Sequence, residues 1–346
     1  MKKCLILLCC LILLKIPVSA VDYTAPQVPG EGADLMPEET QSFLDGILEL
    51  LENALKQIRP DLQEAAQISR SVLGAAMMMA VLTVFRKGSA LPVNLGATAV
   101  LTAILFRGTN ALFILAKDTV AQMSQYGKLL LPVMTGALAA QGGISASTGL
   151  YIGTAFFDSL LGSLLNNLYV PLVYVYLALA IARNAADADI LKRLRDMIKG
   201  FLSWSLKILL TVFTTYMSIT GVVSGTTDAA ALKATKVTIS TVVPVIGGIL
   251  SDASEAVLVG AGVMKNAAGI YGILAVLALF LGPFLRIGSH YLLLRLTAAL
   301  CGVLGTQNIA SLTEDFSTAM GLMLAITAAM CILLLISTVC FMKGVA

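Results

Sequence analysis

The chain has 346 residues, 58% of them hydrophobic and only 12% charged, with mean hydropathy +0.89 and formal net charge +3. A soluble domain is nearer half apolar and a quarter charged, so a single water-soluble core is excluded and several membrane spans are implied. Basic residues are nowhere concentrated among aromatics, which argues against nucleic acid as a partner.

Residues 1–20 read as a signal peptide: a basic MKK, the apolar CLILLCCLILL, then the small-x-small end Val18-Ser19-Ala20. An uncleaved anchor is the alternative, against which Lys15 shortens the apolar run. Residues 21–70 hold ten acids and three bases, and residues 71–346 hold ten acids and seventeen bases. An acidic segment behind a signal peptide fits export. Within it, residues 21–36 are rich in Pro, Gly and acid and predict a flexible linker. A helix then starts near Pro37, with Leu44, Leu48, Leu51, Leu55, Ile58 and Leu62 on one stripe. Arg59-Pro60 should break or kink it. The stripe either lies on the membrane or on this protein, or docks a partner subunit.

The polytopic part is residues 71–346. Apolar spans are expected near 71–85 and 91–116, then a long tract from Ile144 to Ala182 that Asn166-Asn167 and Pro171 divide. Residues 183–199 form the main polar loop, with five bases and three acids, which the positive-inside rule puts in the cytoplasm. Further spans follow near 201–223, 256–281, 283–304 and 320–341, the last after a polar break, GTQNIASLTEDFS. The expected fold is all-α, with about seven spans and six to nine allowed. Four clear spans precede the 183–199 loop, whereas an exported N-terminus and a cytoplasmic loop require an odd number.

Two stretches repeat. Leu131–Ala140 (LPVMTGALAA) and Val243–Asp252 (VPVIGGILSD) share P-V-x-x-G-x-L at an offset of 112 residues, and Pro171 and Pro283 stand at the same offset. This suggests duplicated units at about 91–199 and 200–342. A Pro-Gly break in such a chain must be buried in protein or line a wet cavity, because lipid cannot satisfy freed backbone groups.

No metal-ligand spacing, phosphate loop, nucleophile elbow or dinucleotide fingerprint is present, so no catalytic, metal or cofactor residue is expected. In GVVSG (221–225), Val222 stands where an intramembrane serine site would need Gly. Charges inside apolar tracts (Arg107, Asp158, Lys207, Asp252, Glu255, Lys265, Arg286, Arg295) should face protein or water, since each costs roughly 2.5–3.5 kcal/mol or more at mid-bilayer. Arg286 and the single histidine, His290, share a helix face. The structural or assembly candidates are Pro132, Gly136, Pro244, Gly247, Gly248, Asp252, Glu255, Lys265, Arg286 and His290. Arg195, a loop base, is expected to tolerate Gln better than Pro244 or Gly248 tolerates Leu.

Residues 221–272 carry a resemblance: Val223-Ser224-Gly225 with Asp228, Lys233 and Lys236, VPVIGG at 243–248, Ser251-Asp252, and Lys265-Asn266 with Gly269. This block resembles the stage III sporulation protein AE family of endospore formers. The resemblance implies a multi-pass subunit in the mother-cell membrane around the forespore, with residues 21–70 on the non-cytoplasmic side. Its implied partners are the other stage III sporulation A-operon membrane proteins and, across the intermembrane space, stage II sporulation protein Q. Together they would form a secretion-like channel. It supplies no catalytic residues. The alternative from another class is a stand-alone secondary transporter for a small solute.

Overall fold

The computed structural model describes residues 26–37, 43–85, 91–186, 189–242 and 247–343, and within these only the backbone at 31, 83–84, 91–94, 221–262 and 264. After a 3-10 turn at Gly30–Leu35 come α1 (Phe43–Phe85), α2 (Leu91–Ala140), α3 (Ile144–Leu164), α4 (Val170–Ala186), α5 (Asp189–Val242), α6 (Gly247–Val303) and α7 (Gln307–Lys343). No strand occurs among the described residues. Six helical stretches are long and apolar enough to cross a membrane: Phe43–Leu82, Leu95–Ala140, Ile144–Ala186, Asp189–Thr220, Lys265–Val303 and Gln307–Lys343. The signal segment and Pro244 lie outside the described residues.

The helices are longer than the apolar pattern implies, because prolines that should end them do not. Pro60 sits inside α1, which joins the expected amphipathic helix to the first span. Its ring removes one bond, to the Lys56 carbonyl. Packing on both sides keeps the helix: Leu50 and Ala54 before it, Ala65 and Val72 after it, are buried. Pro283 likewise lies inside α6, between buried Leu279 and Ile287, so 256–281 and 283–304 are one helix.

Pro132 and Gly136 mark no break either. Both lie within α2 on its outward side, and no neighbouring atom approaches within 4 Å of a Cβ built on Gly136. The Thr135 hydroxyl donates to the Leu131 carbonyl at 2.6 Å, a bond within the same helix turn. The chain turns six residues later. Gly142 has φ 92°, Gly143 N–H donates to the Leu138 carbonyl (3.1 Å) and Gly142 N–H to Ala139 (2.9 Å). This is a Schellman ending, in which only Gly takes the left-handed residue without strain. The same device closes α6: Gly305 has φ 75°, with Thr306 N–H to Cys301 and Gly305 N–H to Gly302, both 3.1 Å.

Between α3 and α4 the expected interruption is one π-type turn, Leu165–Tyr169, and the helix runs on. The wider turn falls just before Pro171, which cannot donate to the Asn167 carbonyl four residues back. The polar stretch 183–199 is mostly helix: α4 ends at Ala186 and α5 begins at Asp189. The polar stretch before the last span is the first turns of α7. Residues 26–36 are not a free linker, since Val28 and Leu35 are buried and the turn packs on α6.

α7 is the hub. It pairs most extensively with α6 and also meets α2, α3, α4 and α5, while α1 packs on α6 and, to a smaller extent, on α2. The reason is its composition: Leu322 and Ala329 bury one side of the helix, and Met320 and Cys331 nearly the opposite one. A helix apolar all round belongs in a core. Small residues let the other helices close in. On α3, Gly149 and Gly153 form G-x-x-x-G, and the Tyr216 ring of α5 lies across Gly153 while its hydroxyl donates to the Gly149 carbonyl at 3.1 Å. No side chain larger than hydrogen fits at Gly153 without moving that ring.

Candidate functional site

Among the described residues, polar side chains gather in three clusters, besides the single bonds Tyr169–Ser205 (2.8 Å) and Tyr174–Asn110 (2.7 Å), and a further feature is an open apolar face. The first polar cluster joins the end of α4 and the starts of α5 and α7. Arg195 Nη1 lies 2.8 Å from both Asp315 carboxylate oxygens, and the Tyr176 hydroxyl donates to Asp315 Oδ1 at 3.0 Å. Arg195 also donates to its neighbour Asp196 through Nε (3.1 Å) and Nη2 (2.8 Å). The Arg195 and Asp315 side chains are 11% and 7% exposed. Alongside, Arg183 donates to the Ser311 hydroxyl (3.1 Å), and Asn184 to the Asn308 carbonyl (2.7 Å). The cluster fixes three helix ends together. Arg195, expected as a loop base to tolerate Gln better than Pro244 or Gly248 tolerates Leu, is its centre.

A second cluster lies inside the bundle. Ser124 of α2 donates to Asp158 Oδ2 at 2.7 Å, and the Thr154 and Ser337 hydroxyls, on α3 and α7, are 2.8 Å apart. Asp158, Thr154 and Ser337 are all buried. Thr154 and Asp158 are one turn apart on α3, so α2, α3 and α7 are joined by short polar bonds in an otherwise apolar interface.

The third involves two sequence candidates. Arg286 Nε lies 3.2 Å from Asp61 Oδ1, and Nη2 lies 3.8 Å from Glu64 Oε2, pairing α6 with α1. An open cavity of about 330 Å³ beside this pair is lined by Asp34, Gln57, Pro60, Asp61, Pro283 and Arg286. Two helix prolines thus face one polar recess. One turn on, His290 is buried, with Nδ1 3.0 Å from the Arg286 carbonyl, which can only accept. Arg286 and His290 share a helix but not a site: one reaches α1 and the other bonds its own backbone.

The remaining candidates are dispersed. Lys265 is buried on α6, 21 residues before Arg286. Gly247 and Gly248 open α6, and Asp252 and Glu255 follow in its helix. The block that carries the resemblance therefore forms the end of α5 and the beginning of α6. No group of three metal-ligating side chains occurs among the described residues. Cys301 and Cys331 are buried thiols and Cys340 is partly buried.

The open face belongs to α1. Leu44, Leu48, Leu51, Leu55 and Leu62 are between 40% and 70% exposed, while Ile47, Leu50 and Ala54 pack against Leu274, Leu277 and Ala278 of α6. The stripe legible in the sequence is thus the side the protein leaves uncovered. Sequence reasoning missed the Arg195–Asp315 pair, whose members are 120 residues apart and share no motif. It also missed Gly149-x-x-x-Gly153, which pattern inspection could have found.

Comparison with known proteins adds three findings. The family described as Stage III sporulation protein AE matches residues 34–344. Stage III sporulation protein AE of Bacillus subtilis (strain 168) is 24% identical over 190 residues, 55% of this chain and 48% of that protein, so the alignment spans about half the length of this curated relative. No solved structure matches the chain.

Proposed function

From the premise that this chain belongs to the stage III sporulation protein AE family, we propose that it is a multi-pass membrane subunit of a channel between mother cell and forespore. It acts by assembly, as an export-gate-like element and without catalysis, beside the other stage III sporulation A-operon membrane proteins and opposite stage II sporulation protein Q. The observation that carries this reading is the family match across nearly the whole chain.

Two structural features support it. Large apolar side chains not covered by the protein extend along α1 from Phe43 to Phe85 and along α6 from Val263 to Val303. At 1.5 Å per residue each stretch is about 60 Å, twice the ~30 Å hydrocarbon core, so one bilayer leaves part of it for other proteins to cover. The second is parity. Three span-length helical stretches precede residues 187–199, so an exported N-terminus brings that basic stretch to the cytoplasm, as the positive-inside rule asks. The mother-cell membrane around the forespore is the proposed location.

The test is removal and recovery. Deleting the gene should abolish heat-resistant spores, and the tagged full chain should bring down other A-operon membrane proteins from sporulating cells. Normal spore counts, or a chain that purifies alone and moves a small solute in liposomes, would reject the reading.

A further inference from the structure

A groove between α5 and α7 opens at one end toward a row of bases. The two helices run parallel: Arg195 meets Asp315, and further along the Thr154 hydroxyl lies 3.9 Å from the Met217 sulfur and 2.8 Å from the Ser337 hydroxyl. Between these contacts, residues 202–210 and 322–332 leave an open groove of about 380 Å³. It stays open because α7 offers only alanine there, at 325, 328 and 329, where larger side chains would fill the gap. Tyr169 forms one wall, with its hydroxyl 2.8 Å from that of Ser205. The other polar side chains of the lining are Ser203 and Lys207.

The groove has the depth of one leaflet. Hydropathy begins the two spans near Phe201 and Met320, and about twenty residues of helix cross the ~30 Å hydrocarbon core. On α7 that distance ends beside Lys343. Residues 322–332 therefore run about 15 Å inward from the headgroup level. Trp204, the single tryptophan, is exposed at this level, where an indole sits partly among headgroups. Lys207 is exposed and lies about 9 Å deeper than Phe201. Its Cα–Cβ bond tilts toward the helix N-terminus, so a snorkelling ammonium returns to the headgroups.

We propose that this groove is a binding site for an anionic phospholipid. One acyl chain lies along Leu206, Leu210, Ala329 and Ile332, and the phosphate meets Lys207 and the Ser203 hydroxyl. Charge selects the class of lipid. Lys192, Lys199, Ser203 and Lys207 are spaced 7, 4 and 4 residues apart and share one face of α5. Residues 159–182 and 316–342 carry no charge, so α4 and α7 give Lys207 no counter-charge along the groove. Of the acids toward the mouth, Asp196 and Asp315 are both held by Arg195 at 2.8 Å, and Glu314 stands about 12 Å above Leu322. A basic pocket between helices at the membrane surface suits an anionic headgroup. The site requires only that the chain spans a bilayer, and it stands apart from the channel reading.

The test uses Trp204 as its reporter. The full-length chain is reconstituted in phosphatidylcholine vesicles, into which brominated phosphatidylglycerol or brominated phosphatidylcholine is titrated, because bromine quenches a tryptophan that it touches. The anionic lipid should quench at about fivefold lower mole fraction, the effect of one well-placed base. Lys207→Gln should abolish that preference, and Lys207→Arg should keep it. Arg107→Gln, which removes an exposed base from an apolar tract of α2, should leave it unchanged. Ala325→Phe fills the groove from its open side and should weaken the preference, with the thermal transition unchanged. If that variant fails to fold, the two Lys207 variants decide alone. Equal quenching by both lipids, or a preference insensitive to Lys207→Gln, overturns the inference. So does an equal loss in Arg107→Gln, which would mean diffuse attraction. A preference that survives the filled groove, or that inorganic phosphate abolishes at constant ionic strength, overturns it as well.

Discussion

One nitrogen of Arg195, in the second turn of α5, lies 2.8 Å from both carboxylate oxygens of Asp315 on α7, and a tyrosine from α4 completes the pair. Hydropathy places both residues in polar interruptions between spans. The fold makes them the fastening of three helix ends.

Removing one member should therefore be costly. Arg195→Gln leaves the buried Asp315 carboxylate without its counter-charge, a loss of about 3–5 kcal/mol, whereas Asp315→Leu should cost less, because Arg195 keeps its two bonds to Asp196. Replacing both, as Arg195→Met with Asp315→Leu, should recover most of it, because two packed apolar side chains need no counter-charge. Thermal unfolding of the purified protein in detergent measures all three. A double variant no better than the singles would show that the pair is not an isolated unit.

The position of the helix ending gives a second prediction. Gly142→Ala forces a Cβ into the left-handed region and should cost about 1–2 kcal/mol. Gly136→Ala adds a methyl where the surroundings are open and should be neutral or stabilise by up to ~1 kcal/mol. Pro132→Ala, on the outward side of α2, should also be tolerated, since it restores a donor to the helix. Thermal transitions in the reverse order would return the break to the Pro132 stretch.

Helix crossing at α3 and α5 rests on Gly153. Gly153→Leu must displace the Tyr216 ring and with it the hydrogen bond to Gly149. A loss of about 1–3 kcal/mol is expected from the overpacking. Tyr216→Phe should cost less, about 1 kcal/mol, because only the hydroxyl is removed. Comparing the two unfolding transitions separates packing from hydrogen bonding.

Topology gives the fourth. Three span-length helical stretches separate the Gly142 turn from the Gly305 turn, so the turns belong on opposite sides of the membrane. With Cys301, Cys331 and Cys340 replaced by Ser, a membrane-impermeant maleimide added to intact cells should label Gln141→Cys. Val303→Cys, at a position 86% exposed, should react only after permeabilisation. Labelling of both from one side would mean that a long stretch fails to cross or crosses twice.

Residues speak for themselves only where their effect is local. Composition, the runs of Leu, Ile, Val and Ala, and the positions of charges determined an all-helical, membrane-spanning chain. The block around VPVIGG was enough to point to the family. The leucine period on α1 was legible too, because period is a property of one helix. Tertiary structure alone decided where helices end, which face of α1 is covered, and which charges meet. Pro60, Pro132 and Pro283 each remove one backbone donor, and whether that ends a helix depends on the packing around it. Arg195 and Asp315 carry no shared pattern, since a buried pair is made by the adjacency of α5 and α7 and not by spacing along the chain.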